Sequence, residues 1–311
     1  MNYRNFIDPS IKASEIGFGA WQLGNAKDWS SMSDEDAIQL VQTTYQEGCT
    51  FFDTAPGYGQ GKSEKLLGQA LSSIRSSVLI NTKVGHRADG QPDFTASGID
   101  RSIQESLDRL QTSYLDSVLL HNPPSEFLSS DHIAIKTLAS LHEKGIIHGY
   151  GASVDTYQDM LLLLEHSEAT VIEVLFNIFH QETKEAFQLA KQKGVKLIVK
   201  VPLDSGWLSG KYDRHSQFTG VRARWSKDII ERRAMLVDKI RYLANHHGSL
   251  TLAALRFLLA HEAVTTVIPG TTSIASWREN AKACDQIMPQ HEVLQLYAFF
   301  ENELKNNPLP W

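Results

Sequence analysis

The stretch IHGYGASVDTYQDMLLLLEHSEATVIEVLFNIFHQETKEAFQLAKQKGVKLIVKV, from Ile147 to Val201, decides the fold. Short runs rich in β-branched residues alternate in it with longer amphipathic segments. Two of these segments, Thr156 to His166 and Thr183 to Lys193, predict helices, and Gly194 ends the second. This alternation is typical of βα units in a parallel sheet. The strands it predicts are Ile147 to Ser153, Thr170 to Phe176 and Val195 to Val201.

The same alternation extends in both directions along the chain. Further helices are predicted over Ser63 to Ala70, Ser97 to Leu110, Asp131 to Lys144 and Leu250 to Ala260. Two more are predicted by one end alone: one begins at about Ser33, and the other ends at His247. Further strands are predicted over Ile16 to Trp21, Thr50 to Thr54, Val78 to Lys83, Leu115 to His121 and Thr265 to Ile268. Eight βα units of even length, with no Gly-rich fingerprint after the first strand, favour a closed (β/α)8 (TIM) barrel over an open doubly wound sheet.

Two additions to the barrel are predicted. Tyr3 to Phe6 and Ile11 to Ala13, around a turn at Pro9, indicate an N-terminal hairpin that could plug the bottom of the barrel. Beyond Pro289, an apolar-periodic segment predicts an extra C-terminal helix packed outside the barrel. No linker is apparent, so we expect a single domain over residues 1–311.

The composition bounds the class of partner. A net charge of -6 with scattered Lys and Arg offers no basic stripe to nucleic acid or to anionic lipid, which leaves small molecules as the expected partners. Cys49 and Cys284 are far apart in sequence, and no apolar run is long enough for a membrane span, so we expect a cytoplasmic protein, a monomer or weak homo-oligomer. The histidines are dispersed and predict no metal site. The adjacent His246 and His247 are expected to face solvent near a helix end.

Four polar residues stand where successive predicted strands end: Asp53, Tyr58, Lys83 and His121. The carboxyl ends of barrel strands converge on one face, so we expect these side chains to meet there. An acid, a phenol, an ammonium and an imidazole together make a proton-transfer site. The ammonium of Lys83 would lower the pKa of Tyr58, Asp53 would pair with Lys83, and His121 could donate a hydrogen bond to a substrate oxygen.

Each of the four residues also has a structural explanation when taken alone. Asp53 could cap a turn, Tyr58 could be a loop aromatic, Lys83 a solvated strand end and His121 a core imidazole. Together they are hard to explain as structure, because perturbed groups that cluster in a cleft usually serve function. The glycine-rich segment from Gly57 to Ser63 is similar to a phosphate-binding P-loop but is one residue too short.

Motifs along nearly the whole chain carry a family resemblance. They are Gly17-Phe-Gly-Ala-Trp21, Phe52-Asp-Thr-Ala-x-x-Tyr58-Gly, Ser63-Glu-x-x-Leu-Gly68, Thr82-Lys83, Leu120-His121-Asn-Pro123, Ser205-Gly-x-Leu-Ser-Gly-Lys-Tyr212, Ile268-Pro-Gly270 and Glu279-Asn280. Through them the chain resembles the aldo-keto reductases. The resemblance implies a (β/α)8 barrel that binds a nicotinamide dinucleotide across its mouth and moves hydride between the cofactor and a carbonyl carbon. It also implies that Tyr58 is the general acid, that Lys83 and Asp53 tune it, and that His121 orients the substrate.

The nicotinamide end of the implied cofactor site departs from the family pattern. The family typically holds the carboxamide with Ser, Asn and Gln and stacks an aromatic residue on the ring. Here Ser153 is present, but Val154 replaces Asn, Glu173 replaces Gln, and Lys200 stands where the aromatic residue is common. Since Glu173 and Lys200 lie on neighbouring predicted strands, we hypothesise an ion pair between them. The alternative is that Lys200 extends toward solvent.

The resemblance further implies phosphate contacts from the loop after the seventh strand and from the helix start after Gly270. The implied cofactor-binding residues are Ala20, Trp21, Asp53, Ser153, Glu173, Lys200, Pro202, Leu203, Ser205, Leu208, Lys211, Arg222, Gly270, Thr272, Ser276, Glu279 and Asn280. Some members place a basic side chain near Gly270 or Ser276 to neutralise a 2′-phosphate, whereas this chain would have to use Lys211, Arg222 or Arg224. Family habit favours NADP(H), and NAD(H) stays open.

The implied substrate site is less well defined. Trp21 should form a wall, and Asn122 beside His121 suggests a polar pocket. The resemblance therefore implies an NAD(P)(H)-dependent oxidoreductase that reduces an aldehyde, ketone or sugar, or runs in reverse. The alternative is a cofactor-sensing regulatory or binding protein with slow or vestigial turnover. Other residues on loops that could reach the pocket are Trp29, His86, Arg87 and Trp225.

Overall fold

The computed structural model of the protein describes residues 1–7, 10–26, 29 and 31–310. Strands and helices alternate along these residues. The strands are β1 (Tyr3–Asn5), β2 (Lys12–Ser14), β3 (Phe18–Gly19), β4 (Phe51–Asp53), β5 (Leu79–Val84), β6 (Ser117–His121), β7 (Tyr150–Val154), β8 (Val171–Leu175), β9 (Lys196–Lys200) and β10 (Val264–Val267). The helices are α1 (Asp34–Gln46), α2 (Lys62–Leu71), α3 (Ala96–Leu110), α4 (Ile133–Glu143), α5 (Tyr157–His166), α6 (Phe187–Gln192), α7 (Lys227–Ile240), α8 (Leu243–His247), α9 (Leu250–Leu259), α10 (Ile274–Ala281) and α11 (Gln290–Glu303).

Strands β3 to β10 form one eight-stranded parallel sheet in chain order. Backbone hydrogen bonds join the first of these strands to the last. Gly17 N donates to Val267 O at 2.8 Å, and Val267 N donates to Glu15 O at 2.9 Å. The sheet therefore closes on itself, and the predicted (β/α)8 barrel is confirmed.

The N-terminal hairpin covers the amino ends of the barrel strands. β1 and β2 pair antiparallel, and the Phe6 ring meets the Phe51 ring edge-on at 5.3 Å between centroids. Phe6 belongs to an apolar cluster that also contains Leu79 and Val171, the first residues of β5 and β8. The predicted hairpin is thus confirmed, although its predicted turn at Pro9 lies outside the described residues.

Most helices match the predicted segments, with two differences. The segment predicted to end at His247 is two helices, α7 and α8, because Arg241 N bonds to Asp238 O and Ala244 N to Arg241 O, three residues back instead of four. The segment predicted from Thr183 begins as a 3-10 turn over Glu182–Ala186 and becomes α-helical at α6. In the described ranges, no helix combines the length and the apolarity that a membrane span requires.

The expectation that His246 and His247 face solvent holds for His246, whose side chain is 55% exposed, and is wrong for His247. Glu292 of α11 contacts both, at 2.8 Å from His246 Nδ1 and 2.7 Å from His247 Nε2. His247 is buried between α8 and α11. These contacts connect the C-terminal helix to the barrel, and sequence spacing does not reveal them because 45 positions separate His247 from Glu292.

Candidate active site

The four polar residues at the strand ends meet at the carboxyl end of the barrel. Asp53 is the last residue of β4, Lys83 the last but one of β5, and His121 the last of β6. Tyr58 begins a 3-10 turn that follows β4. Because β4, β5 and β6 are parallel neighbours, their ends project into one mouth.

Lys83 is fully buried and bound by carboxylates. Its Nζ donates to Asp53 Oδ1 at 2.8 Å, to Asp53 Oδ2 at 2.7 Å and to Thr54 O at 3.1 Å. Glu173 Oε2 lies 3.2 Å from the same nitrogen. Burial alone would lower the pKa of Lys83, but Asp53 and Glu173 outweigh it and raise the pKa. Lys83 is therefore a permanent cation between two acids.

The two acids do not titrate alike. Burial and the charge of Glu173 raise the pKa of Asp53 to about 7, against the lowering effect of Lys83. Burial also acts to raise the pKa of Glu173, but Lys83 and Lys200 outweigh it and hold that pKa below its usual value. Like charges around one cation repel each other, so the ionised Glu173 opposes the ionisation of Asp53.

Tyr58 lies over this cluster. The Lys83 ammonium is 5.4 Å from the centroid of its ring, and the His121 ring stands edge-on to it at 6.0 Å. Burial raises the pKa of Tyr58. Lys83 lowers it, but Asp53 and Glu173 add to the rise. Lys83 therefore lowers the pKa of Tyr58, as expected, but the other groups outweigh it, and Tyr58 is a neutral phenol at physiological pH.

His121 is a neutral imidazole. Burial lowers its pKa to about 3, and the nearby cations Lys83 and Lys200 contribute to the shift. A neutral imidazole carries one N–H donor and one lone pair. The His86 ring stands edge-on to it at 5.6 Å, so His86 reaches the site from its loop.

The hypothesis of an ion pair between Glu173 and Lys200 is wrong. In the register of β8 and β9, Glu173 lies opposite Ile198, and Leu175 lies opposite Lys200. Glu173 turns instead toward Lys83 at 3.2 Å. Adjacent strands alone did not determine the pairing, because the register decides which side chains stand side by side.

Lys200 makes a network of its own. Its Nζ donates to Asn122 Oδ1 at 2.9 Å and to Ser153 Oγ at 2.8 Å, and it lies 2.8 Å from Asp155 Oδ1. The Ser153 hydroxyl donates to Glu173 Oε1 at 2.9 Å and so links the two networks. The side chain of Lys200 is only 12% exposed, which contradicts the alternative that it extends into solvent. Asp155 was not foreseen, although its position next to strand β7 could have indicated it.

A cavity of about 670 Å³ opens over these residues. Among the predicted site residues, the side chains of Ala20, Lys83, Ser153 and Leu208 do not line it. Those that do are Trp21, Asp53, Tyr58, His121, Asn122, Glu173, Lys200, Pro202, Leu203, Ser205, Lys211, Arg222, Gly270, Thr272, Ser276, Glu279 and Asn280.

The cavity wall also contains residues that were not foreseen, including Gln22, Ser209 and Thr251. Gln22 directly follows Trp21 at the end of the first barrel strand, so the strand-end rule could have found it. Its Oε1 is buried and accepts no hydrogen bond from the described residues. Trp29 lines the cavity, whereas Trp225 packs against Trp207 in a buried aromatic cluster.

Charges differ between the two sides of the outer cavity. On one side the Arg222 guanidinium lies 4.6 Å above the Trp29 ring, and its Nε donates to Ser205 O at 3.0 Å. On the other side are Ser276 and Glu279 of α10. An anion that binds here would therefore contact the cation Arg222, on the loop after β9, and would find no cation among the described residues that line the α10 side.

Comparisons with known proteins agree with this architecture. The sequence model described as Aldo/keto reductase family matches residues 15–299, and the chain belongs to that family. It is similar to L-galactose dehydrogenase of Arabidopsis thaliana, with 28% identity over 94% of this chain and 92% of that protein. It is also similar to a probable voltage-gated potassium channel subunit beta of the same plant, with 26% identity over 92% of each chain. The structure of an aldo-keto reductase from Klebsiella pneumoniae in complex with NADPH superimposes with a TM-score of 0.74 at 22% identity, over 100% of both chains.

Proposed function

We propose that the protein is a nicotinamide-dependent oxidoreductase that interconverts a small polar carbonyl compound, such as an aldehyde, ketone or sugar, and its alcohol, with Tyr58 as general acid and base. The observation that supports this most is the buried Lys83 ammonium, which Asp53 binds through both oxygens directly beneath Tyr58. Burying a cation is costly even when a carboxylate pairs with it, and buried groups with perturbed pKa values cluster at functional sites.

The residues divide the work of carbonyl reduction between them. When bound, the nicotinamide supplies the hydride. The neutral His121 donates its N–H to the carbonyl oxygen and holds it near Tyr58. Tyr58 Oη then gives its proton to that oxygen, and Lys83 stabilises the phenolate that forms. In the direction of alcohol oxidation the same phenolate would accept the proton.

The cavity fits an extended dinucleotide. Polar groups lie at its inner end and cations at its outer end. The buried Oε1 of Gln22 accepts no hydrogen bond from the described residues and could accept one from a ligand. Glu173, which lines the cavity, would hold the carboxamide, and the buried Ser153 hydroxyl that donates to it would orient its carboxylate. Lys211 and Arg222 would receive phosphate.

The preferred cofactor follows from which cations reach the ribose. The Klebsiella relative binds NADPH. In this chain Arg222, stacked on Trp29, is the basic group best placed for a 2′-phosphate, so we propose NADP(H) over NAD(H). Comparing the dissociation constants of NADPH and NADH in the native protein and in Arg222→Gln would test this, because loss of Arg222 should weaken NADPH alone.

The substrate is proposed to be hydroxylated. Lys200 fixes the carbonyl oxygen of the Asn122 amide, which leaves the amide nitrogen to face the cavity as a donor. Trp21, edge-on to Trp29 at 5.7 Å, supplies a flat apolar wall. A donor beside an aromatic wall suits a sugar or polyol, and the similarity to L-galactose dehydrogenase supports that class.

A cofactor-sensing subunit is the second candidate. The similarity to potassium channel beta subunits favours it. In that case the site around Asp53, Tyr58, Lys83 and His121 would bind the cofactor and oxidise it slowly, and the state of the cofactor would act on a partner protein.

Stopped-flow oxidation of bound NADPH, with a panel of aldehydes, ketones and sugars, separates the two candidates. We expect rapid oxidation with at least one carbonyl compound and a loss of about 10²-fold to 10⁴-fold in Tyr58→Phe. Tyr242→Phe, an exposed tyrosine outside the site, is the matched control. Equal rates in native protein and Tyr58→Phe would refute the role of Tyr58, and no turnover with any carbonyl would favour the sensor.

A further inference from the structure

We propose that Glu173 is a positioning residue that acts on Tyr58 through Lys83: by giving the Lys83 ammonium a second carboxylate, it keeps Tyr58 protonated and specialises it as a proton donor. This inference rests on the proposed role of Tyr58 as general acid. It concerns the ion cluster formed by Asp53, Lys83 and Glu173. Within this cluster, Glu173 carries a charge that the family resemblance does not imply.

Geometry places Glu173 inside the ion cluster. Its side chain is 2% exposed, with Oε2 at 3.2 Å from Lys83 Nζ and Oε1 accepting from Ser153 at 2.9 Å. Asp53 binds the same ammonium through both oxygens from the opposite strand β4. Glu173 therefore acts on Lys83 directly, and the single positive charge of the ammonium faces two carboxylates.

A count of charges shows what this does. The cation that faces Glu173 from β9, Lys200, already has its own carboxylate in Asp155 at 2.8 Å. The cation that faces it from β5, Lys83, is left to compensate both Asp53 and Glu173. With both acids ionised, the cluster carries one surplus negative charge on side chains that are almost fully buried.

The remaining neighbours do not relieve that surplus. His121, which faces the cluster from β6, is neutral, and Ser153 from β7 brings only a hydroxyl. Ionising Tyr58 would add a second negative charge a few ångströms away, which like-charge repulsion opposes. The proton that the carboxylate pair takes up as pH falls through about 7, the pKa of Asp53, removes the surplus.

The consequence for the reaction concerns direction. In reduction, the Tyr58 O–H bond breaks as the substrate oxygen gains the proton, and the phenolate then regains a proton from solvent. A more basic phenolate regains its proton at a higher pH. Tyr58 therefore remains protonated, and able to act as the acid in reduction, into the alkaline range. Alcohol oxidation, which needs the phenolate beforehand, is disfavoured over the same range.

Ultraviolet difference titration of the protein without substrate or cofactor tests the proposal. The chain has nine tyrosines, and subtracting the titration of Tyr58→Phe isolates Tyr58. We expect the Tyr58 phenolate of Glu173→Gln to form at a pH lower by about one unit or more than in the native protein. A shift of this size is a typical effect of removing a nearby charge. Glu173→Asp, which keeps the charge, should stay closer to the native protein. Ser153→Ala, which removes the hydrogen bonds to Glu173 and from Lys200 but no charge, should shift the titration much less than Glu173→Gln.

An unchanged Tyr58 titration in a folded Glu173→Gln would overturn the proposal. The titration does not use turnover, so a lack of oxidoreductase activity would contradict the proposed function and leave this result intact.

Discussion

At the scale of single residues, Lys200 shows how one unusual side chain organises a site. It stands where the family resemblance implies an aromatic ring, and its ammonium instead joins Asn122, Ser153 and Asp155. Asn122 has a φ of 45°, a left-handed backbone that asparagine adopts more readily than most residues with a side chain. The contact from Lys200 helps to hold this conformation at the edge of the cavity.

Replacing Lys200 by Met should therefore destabilise the protein. We expect a loss of about 1–3 kcal/mol in the free energy of unfolding, because Asn122, Ser153 and Asp155 all lose a charged donor. Urea denaturation followed by circular dichroism measures it. Lys211→Met, an exposed lysine of the same cavity, is the control and should change stability little. Equal stability of the two variants would contradict the proposed importance of the Lys200 network.

At the scale of elements, helix α7 fixes the loop that follows β9. Asp204 in this loop is fully buried, and Arg233 of α7 donates to it from Nε at 3.0 Å and from Nη2 at 3.2 Å. His180 Nε2 lies 3.6 Å from Asp204 Oδ1. The next residues of the loop, Ser205 and Gly206, line the cavity, so the buried pair determines where the loop meets the cavity.

This pair makes stability depend on acid pH in a predictable way. Burial opposes ionisation, but His180 and Arg233 lower the pKa of Asp204 to about 2 in the folded protein. A lowered acid pKa contributes stability that is complete above about pH 4, the value in the unfolded chain, and is lost as pH falls toward 2. The contribution amounts to about 2 kcal/mol.

The difference in unfolding free energy between native protein and Asp204→Asn should accordingly shrink by about 2 kcal/mol between pH 5 and pH 2. Urea titrations at several pH values measure this difference. Asp238→Asn, which alters the exposed contact with Arg241, should show no such trend. If the difference for Asp204→Asn stays constant, the contact between Asp204 and Arg233 does not cause the loss of stability at acid pH.

At the scale of the whole molecule, the barrel depends on closure at its side and on a plug at its base. The hydrogen bonds between β3 and β10 leave no open edge between the first and last strands of the described sheet. Phe6 fills the amino end, against Phe51, Leu79 and Val171. The hairpin thus completes the interior that the strands begin.

Phe6→Ala should destabilise the barrel by about 3–5 kcal/mol, because it removes a buried ring and leaves a cavity among strand residues that cannot close it. Thermal unfolding should show a clear fall in Tm. Tyr3→Ala alters the same hairpin at a residue that is 44% exposed, so it should cost far less. If the two substitutions lower Tm equally, the hairpin is a surface appendage and not a plug.

The sequence by itself determined the barrel and the place of the four polar side chains at the strand ends. The alternation of strands and amphipathic helices predicted the fold, and the rule that parallel strands end on one face predicted that Asp53, Tyr58, Lys83 and His121 would meet. Both follow from local patterns with a fixed period, which a single chain displays directly.

The tertiary structure decided the charges. Strand register, and not strand adjacency, placed Glu173 on Lys83 and left Lys200 to Asp155. Burial, and not proximity to Lys83, set the direction of the pKa shift of Tyr58. The physical reason is common to both: the energy of a charge depends on which groups surround it and how much solvent it keeps, and neither quantity is a property of sequence spacing.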